Sequence, residues 1–92
     1  MDKLNETMIE QALEAVTDWS LNGESIQRTF THEDFMGSMA FVQAVAELAE
    51  AAQHHPDILI RWNKVTLTLS THDAGGLTER DFLLAKSIDQ LA

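Results

Sequence analysis

Apolar positions recur at helical spacing at both ends and in the middle of this chain, and at alternating spacing between. Met8, Ile9, Ala12, Leu13 and Val16 predict a first helix over Leu4 to Val16. Asn5 is its N-cap, with Leu4 and Ile9 placed as a hydrophobic staple. Two strand-like runs follow, Thr17–Leu21 and Glu24–Phe30, joined by Asn22-Gly23. Asn-Gly between extended runs is a strong hairpin signal, because both residues tolerate positive φ. This turn sets Trp19 opposite Ile26.

The second helix opens at Thr31, with Asp34 at its third position closing a capping box and Phe30 and Phe35 as a staple. Phe35, Met39, Val42, Ala46 and Ala49 form one apolar stripe, and Phe41, Val45, Leu48 and Ala52 a second beside it. Together they are wider than a sheet-facing helix needs. The helix is therefore expected to pack on its own sheet and on a neighbouring helix. It ends near His54-His55-Pro56, since the residue before a proline is pushed out of the helical region.

Two further strands are expected over Ile58–Trp62 and Val65–Ser70, with Asn63-Lys64 as their turn. That register opposes Trp62 to Val65, Ile60 to Leu67 and Ile58 to Leu69, with Thr66, Thr68 and Ser70 on the other face. A loop with Gly75-Gly76 leads to a last helix. Thr78 caps it, Asp81 sits at its third position, Leu77 and Phe82 staple it, and Leu84, Ile88 and Leu91 continue its buried side. The order helix–strand–strand–helix–strand–strand–helix predicts an α+β domain over residues 1–92. Its sheet is four-stranded and antiparallel, with three helices packed on one face.

Composition narrows the function classes. Ninety-two residues, 45% of them apolar, make one domain with one modest core and apolar surface to spare for another copy. No cysteine is present, so disulfides and zinc–thiolate sites are excluded, and a reducing cytoplasm is the expected compartment. No segment reads as a signal peptide or a membrane span. The formal charge of −9 repels a phosphate backbone, which argues against direct nucleic-acid binding.

Chemistry concentrates between residues 50 and 81. Glu50 and His54 stand at i and i+4 near a helix end, where the carboxylate can orient the imidazole. His55 follows as the chain leaves the helix, and His72 ends the fourth strand. Rings from a helix exit and a strand end can line one rim pocket, and imidazoles exchange protons near neutrality. Helix-end histidines favoured by the dipole and a solvated loop His72 are the plainer readings. His32 is read as a solvated first-turn residue without a role. Trp19 and Trp62 are read first as packing residues. Three histidines and a glutamate also contain the donors of a zinc site, but adjacent His54 and His55 suit one tetrahedral ion poorly and the spacing matches no metal motif.

Several strings taken together resemble the pterin-4a-carbinolamine dehydratase family. They are Glu50-x3-His54-His55-Pro56, Trp62-Asn63-Lys64-Val65, Leu69-Ser70-Thr71-His72 and Gly76-Leu77-Thr78-Glu79-Arg80-Asp81, supported by Trp19 and Phe30-Thr31-His32-Glu33-Asp34-Phe35. Ile58 departs from the pattern, because vertebrate members carry an aromatic residue soon after His-His-Pro. The resemblance implies a hydro-lyase that dehydrates 4a-hydroxytetrahydropterin to quinonoid dihydropterin in pterin cofactor recycling, with no metal and no organic cofactor. It implies His54, His55 and His72 as catalytic residues and Glu50 as their supporting acid. It implies Trp62, Ser70, Thr71, Arg80 and Asp81 as the substrate-contacting set, Asp81 serving also as a cap. It further implies a homodimer or homotetramer. The alternative it carries is an interaction module, a dimerisation cofactor of a transcription factor that works through its helical surface.

Overall fold

The computed structural model describes residues 2–92. Eight elements follow one another: α1 (Glu6–Leu13), β1 (Ser20–Asn22), β2 (Ser25–Thr31), α2 (Phe35–Ala52), β3 (Asp57–Arg61), β4 (Lys64–Leu69), a 3-10 turn (His72–Ala74) and α3 (Glu79–Asp89). The four strands form one antiparallel sheet in the order β1-β2-β4-β3, so β1 and β3 are its edges. The expected α+β architecture and element order are present.

Burial explains why one face is covered. Ile26 and Phe30 of β2 alternate with polar residues, as do Val65, Leu67 and Leu69 of β4. Their apolar side meets Phe41 and Val45 of α2 and Phe82, Leu84, Ala85 and Ile88 of α3 in one core. On the opposite face the Thr29 and Thr66 hydroxyls meet at 2.8 Å.

α1 is shorter than the periodicity suggests. Asn5 does cap it, its side chain accepting from the Met8 N–H at 2.9 Å. No residue of α1 is fully buried; Met8 is exposed, and Val16, beyond the helix end, reaches the core instead.

Both hairpins turn one residue away from the expected place. Leu21 pairs with Ile26 and Asn22 with Ser25, so the first turn is Gly23-Glu24, with positive φ at Gly23 alone (64°). This is the type II′ pattern, in which only the first central residue needs glycine-like freedom. Trp19 therefore lies outside β1; it is buried, and its indole N–H donates to Asp89 Oδ1 at 2.8 Å. In the second hairpin Arg61 pairs with Lys64 and Ile60 with Val65, so Trp62-Asn63 forms the turn. Trp62 stands there at φ 52°, a left-handed conformation that costs a side-chain-bearing residue about 1–2 kcal/mol.

The start of α2 also differs. Asp34 is the N-cap itself, its carboxylate accepting from the Gly37 N–H at 2.8 Å, while Thr31 ends β2. His32 is half-buried before the helix, its ring 4.9 Å from that of Phe41, and its Nε2 is shielded from solvent without a hydrogen-bond partner. Of the two apolar stripes on α2, the one through Phe41 and Val45 meets the core, although Ala52 at its end is exposed, and Val42 and Ala49 of the other are also turned inward. Phe35, Met36 and Met39 are exposed, which leaves the surplus apolar surface that the pattern predicted. On α3 the Thr78–Asp81 capping box is present, whereas Leu91 lies past the helix and is exposed.

Candidate active site

The end of α2 decides where the histidines go. Gln53 adopts the left-handed conformation (φ 51°, ψ 42°), its N–H bonding to Glu50 O and that of His54 to Ala49 O. These two bonds make a Schellman ending, which reverses the chain without a glycine. His54 is thereby turned inward and buried, and His55 is sent outward.

Each ring then finds its own carboxylate. His54 Nε2 lies 2.5 Å from Asp81 Oδ1 on α3, and the carboxylate fixes the tautomer with the proton on Nε2. Nδ1 is then the nitrogen left to work toward solvent or substrate. Asp81 has no solvent exposure, and its second oxygen accepts from the Thr78 N–H and the Thr71 hydroxyl, each at 2.9 Å. A buried carboxylate with both oxygens engaged is held in one orientation, and His54 with it. The expected pairing of Glu50 with His54 is therefore corrected: Glu50 Oε2 meets His55 Nε2 at 2.5 Å, and both residues of that pair are largely exposed. Helical i,i+4 proximity applies only while the chain stays helical, and the turn at Gln53 breaks it before His54.

The strand end supplies the third ring. Thr71 closes a small loop by pairing with Gly76, and His72 opens the 3-10 turn inside it. His72 is exposed. One cleft of about 250 Å³ is lined by Gln53, His54, His55, Ser70, His72 and Arg80, with Thr71 and Asp73 beside them. An adjoining hollow of about 280 Å³ shares His55, Ser70 and His72 and extends to Asp57 and Thr68. The three sequence-selected histidines thus surround one depression, with Ser70, Thr71 and Arg80 in its wall. Asp81 stands behind His54 rather than in the wall. The Thr71 hydroxyl bonds to Asp81 and to the Thr78 hydroxyl, which makes it a support for the wall.

Trp62 is not in this cleft. It follows β3 while His55 precedes it, so the whole strand separates the two. Trp62 is two-thirds exposed and borders a different hollow, with Arg61, Asn63 and Lys64. A roomier groove of about 400 Å³ between α1 and α3, lined by Leu4, Met8, Ala12, Phe82 and Leu83 with Glu79 and Lys86 also in its lining, holds no histidine. Among the described residues no three His, Asp or Glu side chains converge as a metal site. No described helix is long and apolar enough to cross a membrane.

Two partners were invisible to sequence reasoning. Asp81 reads locally as a cap and the resemblance sets it among the substrate-contacting residues, but nothing local marks it as the acid behind His54. His55 as the partner of Glu50 depends on a left-handed residue that is not glycine.

Comparison with known proteins bears directly on this site. The family model described as pterin 4 alpha carbinolamine dehydratase matches residues 2–91. The chain belongs to this family. A relative from Roseiflexus castenholzii, named "Putative pterin-4-alpha-carbinolamine dehydratase", is 57% identical over 96% of this chain and 95% of its own. A Chloroflexus aurantiacus relative of the same name is 55% identical over 99% of this chain and 98% of its own. Among solved structures, a transcriptional coactivator/pterin dehydratase from Brucella melitensis superposes with a TM-score of 0.93 at 34% identity, covering 99% of both chains. A pterin dehydratase-like protein identified as a RuBisCO assembly factor in the alpha-carboxysome superposes at 0.65, with 25% identity over 80% of this chain and 86% of the other. The family is one of hydro-lyases, and the α+β fold is common to it and to this chain.

Proposed function

We propose that this chain dehydrates a 4a-hydroxytetrahydropterin to the quinonoid dihydropterin by histidine acid–base catalysis. The observation that carries this reading is the convergence of His54, His55 and His72 on one cleft, with His54 backed by a buried, fully engaged Asp81.

The reaction needs little beyond proton transfer. The substrate carries a hydroxyl on a carbon bonded to a ring nitrogen. One imidazolium gives its proton to that hydroxyl, the carbon–oxygen bond breaks and water leaves. The nitrogen lone pair forms the new double bond, and the proton on that nitrogen passes to a neutral imidazole. Each positioned acid or base contributes about 10²–10⁴-fold. His54 and His72 form the principal pair, and His55, oriented by Glu50, contacts the pterin or serves the opposite stereoisomer. Ser70 and Arg80 offer hydrogen bonds from the wall. No metal or organic cofactor takes part in this scheme.

The product of such a step is the substrate of a dihydropterin reductase, so our reading is a role in pterin cofactor recycling, with the cytoplasm as its compartment. We take the functional unit to be a homodimer or homotetramer, since Phe35, Met36 and Met39 leave α2 with an uncovered apolar flank. The same flank suits another copy of this chain, and nothing in its chemistry selects a transcription factor instead.

The test is a stopped-flow assay with freshly generated 4a-hydroxytetrahydropterin. Acceleration over the spontaneous dehydration, lost in His54→Ala and His72→Ala, is expected. No acceleration by the native protein, or native rates in both variants, overturns the proposal.

A further inference from the structure

The histidine cleft shares walls with two hollows of opposite character. We infer that Asp57 is the group that selects a 2-aminopteridine: its carboxylate accepts from the N3–H and the 2-amino group of the bound ring while the hydroxylated carbon lies at the histidines. This rests on the function proposed above for what happens in the cleft. It adds what the site recognises and which way round the substrate lies.

The apolar hollow, about 340 Å³, shares His54 and Arg80 with the cleft. Leu48 and Ala51 of α2 and Leu83 and Leu84 of α3 line it, and its Ser87 hydroxyl is spent on the Leu83 carbonyl at 3.2 Å. The polar hollow, about 280 Å³, shares His55, Ser70 and His72 with the cleft and continues over Asp57, Thr68 and Glu24. Asp57 and Thr68 are register partners across β3 and β4, so their side chains stand together on the sheet face away from the helices. A pteridine has the matching asymmetry. Its pyrimidine edge presents two donors, N3–H and the 2-amino group, which need acceptors once buried. Its other ring ends in carbon atoms. The apolar hollow would leave the two donors unpaired, so the pyrimidine edge belongs in the polar one.

The carboxylates near these walls are not equally available. Glu50 is taken by His55, Asp81 has both oxygens engaged, and Glu24 lies 3.8 Å from Lys3. That leaves Asp57 in the polar hollow and Asp73 in the cleft. Substrate geometry chooses between them. C2, which bears the amino group, stands directly across the pyrimidine ring from the hydroxylated carbon. With that carbon between His54 and His72, the donor edge lies one ring-width away, past the shared wall of His55, Ser70 and His72. Asp73 follows His72 inside the 3-10 turn, on the side of the reacting carbon. Asp57 lines the hollow beyond. Its two oxygens match the two donors in a charge-assisted, bidentate contact. The far side of that hollow is held in place, because the Ser70 hydroxyl donates to the Glu24 carbonyl at 2.8 Å and ties the first hairpin turn to the end of β4.

Fluorescence titration with pterin and with lumazine tests this without catalysis. Lumazine carries a carbonyl at C2 in place of the amino group, so it turns an acceptor toward the Asp57 carboxylate. The native protein is expected to bind pterin about tenfold or more tighter than lumazine. Asp57 is exposed, so its replacement disturbs no core. Asp57→Asn offers one amide NH2 and one carbonyl, the complement of lumazine's C2 carbonyl and N3–H, and is expected to erase or reverse the preference. Asp73→Asn is expected to keep it. A native protein that binds both probes alike or neither, an unchanged preference in Asp57→Asn, or its loss in Asp73→Asn instead, overturns the assignment. In turnover, Asp57→Asn should raise KM about tenfold with kcat within about threefold of native, and a fall in kcat at native KM also counts against it. Loss of the preference in Asp57→Asn, in a protein that does not accelerate dehydration, sinks the proposed function and leaves the recognition site standing.

Discussion

The carboxylate of Asp81 joins two jobs in one group: Oδ2 accepts from the Thr78 N–H to cap α3, while Oδ1 lies 2.5 Å from His54 Nε2. Helix α3 cannot start as it does without presenting an acid to the histidine. Asp81→Asn keeps the shape but loses the charge: its oxygen can still accept from Thr78 and Thr71, while its NH2 donates to Nε2 and sets His54 in the opposite tautomer. Turnover is expected to fall at least tenfold. Stability should drop by about 1–3 kcal/mol, as bonds to a charged acceptor become neutral ones. Kinetics and urea denaturation of the same preparation check both. A variant with native turnover would show that His54 needs no acid behind it.

His54 and His72 should respond differently to removal although both are placed in the acid–base pair. His72 is exposed, so His72→Ala should lower turnover about 10²-fold or more with stability unchanged within about 0.5 kcal/mol. His54 is buried on Asp81, so His54→Ala strands a buried carboxylate oxygen and should cost about 1–3 kcal/mol as well as activity. Equal stability losses in the two variants would contradict the packing described here.

Glu50 is expected to matter less than its place in the family pattern suggests. It holds His55, on the surface, in a pair whose side chains are 61% and 76% exposed. Exposed ion pairs contribute about 0–1 kcal/mol. Glu50→Gln should leave thermal unfolding nearly unchanged and reduce turnover less than His54→Ala does. A larger loss than His54→Ala would place the principal proton transfer at His55 instead.

Much of this was legible in the sequence, and the misplacements share one cause. Both hairpin turns were set one residue off, at Asn22-Gly23 instead of Gly23-Glu24 and at Asn63-Lys64 instead of Trp62-Asn63. Moving a two-residue turn by one residue shifts the register by two, and side chains alternate with period two. Val65, Leu67 and Leu69 therefore kept their buried face despite the wrong partners. The histidine cluster was legible because Pro56 and the Gly75-Gly76 loop mark the element ends that carry it. The carboxylate partners were not, because the inward course of His54 turns on a left-handed conformation at Gln53 that its residue type disfavours, and because Asp81 reads locally as a helix cap.

Asp89 offers a test of stability uncoupled from the cleft. Its Oδ1 accepts from the Trp19 indole N–H at 2.8 Å and from Arg28 at 2.7 Å, tying the end of α3 to the chain before β1 and to β2. Arg28 also lies 4.2 Å over the Phe30 ring, within cation–π range. None of these residues lines the histidine cleft. Asp89→Ala is expected to cost about 1–3 kcal/mol, because it leaves a buried indole N–H without its acceptor. Turnover of the folded protein should stay near native. Urea unfolding followed by tryptophan fluorescence reads the first quantity, and the dehydratase assay below the transition reads the second. A large loss of turnover at native stability would mean that the end of α3 communicates with His54 through Asp81, which the packing of this helix does not predict.

Gln53, like Trp62, is a position where the residue type departs from what its backbone asks. Its φ of 51° is glycine territory, and Gln53→Gly keeps both N–H bonds of the Schellman ending. Relief of left-handed strain favours the variant by about 1–2 kcal/mol, and the greater freedom of glycine in the unfolded chain returns about 0.5–1 kcal/mol of that. A net gain of about 1 kcal/mol in urea denaturation is expected. Gln53 also lines the cleft, so the activity of the same variant separates two reasons for its presence. Native turnover together with the gain would make Gln53 a neutral occupant of a strained turn. Raised KM with kcat unchanged would mean that its amide binds substrate, and the strain is then tolerated for that contact. A loss of stability would show that the turn depends on the glutamine side chain itself, contrary to the backbone account given for the inward course of His54.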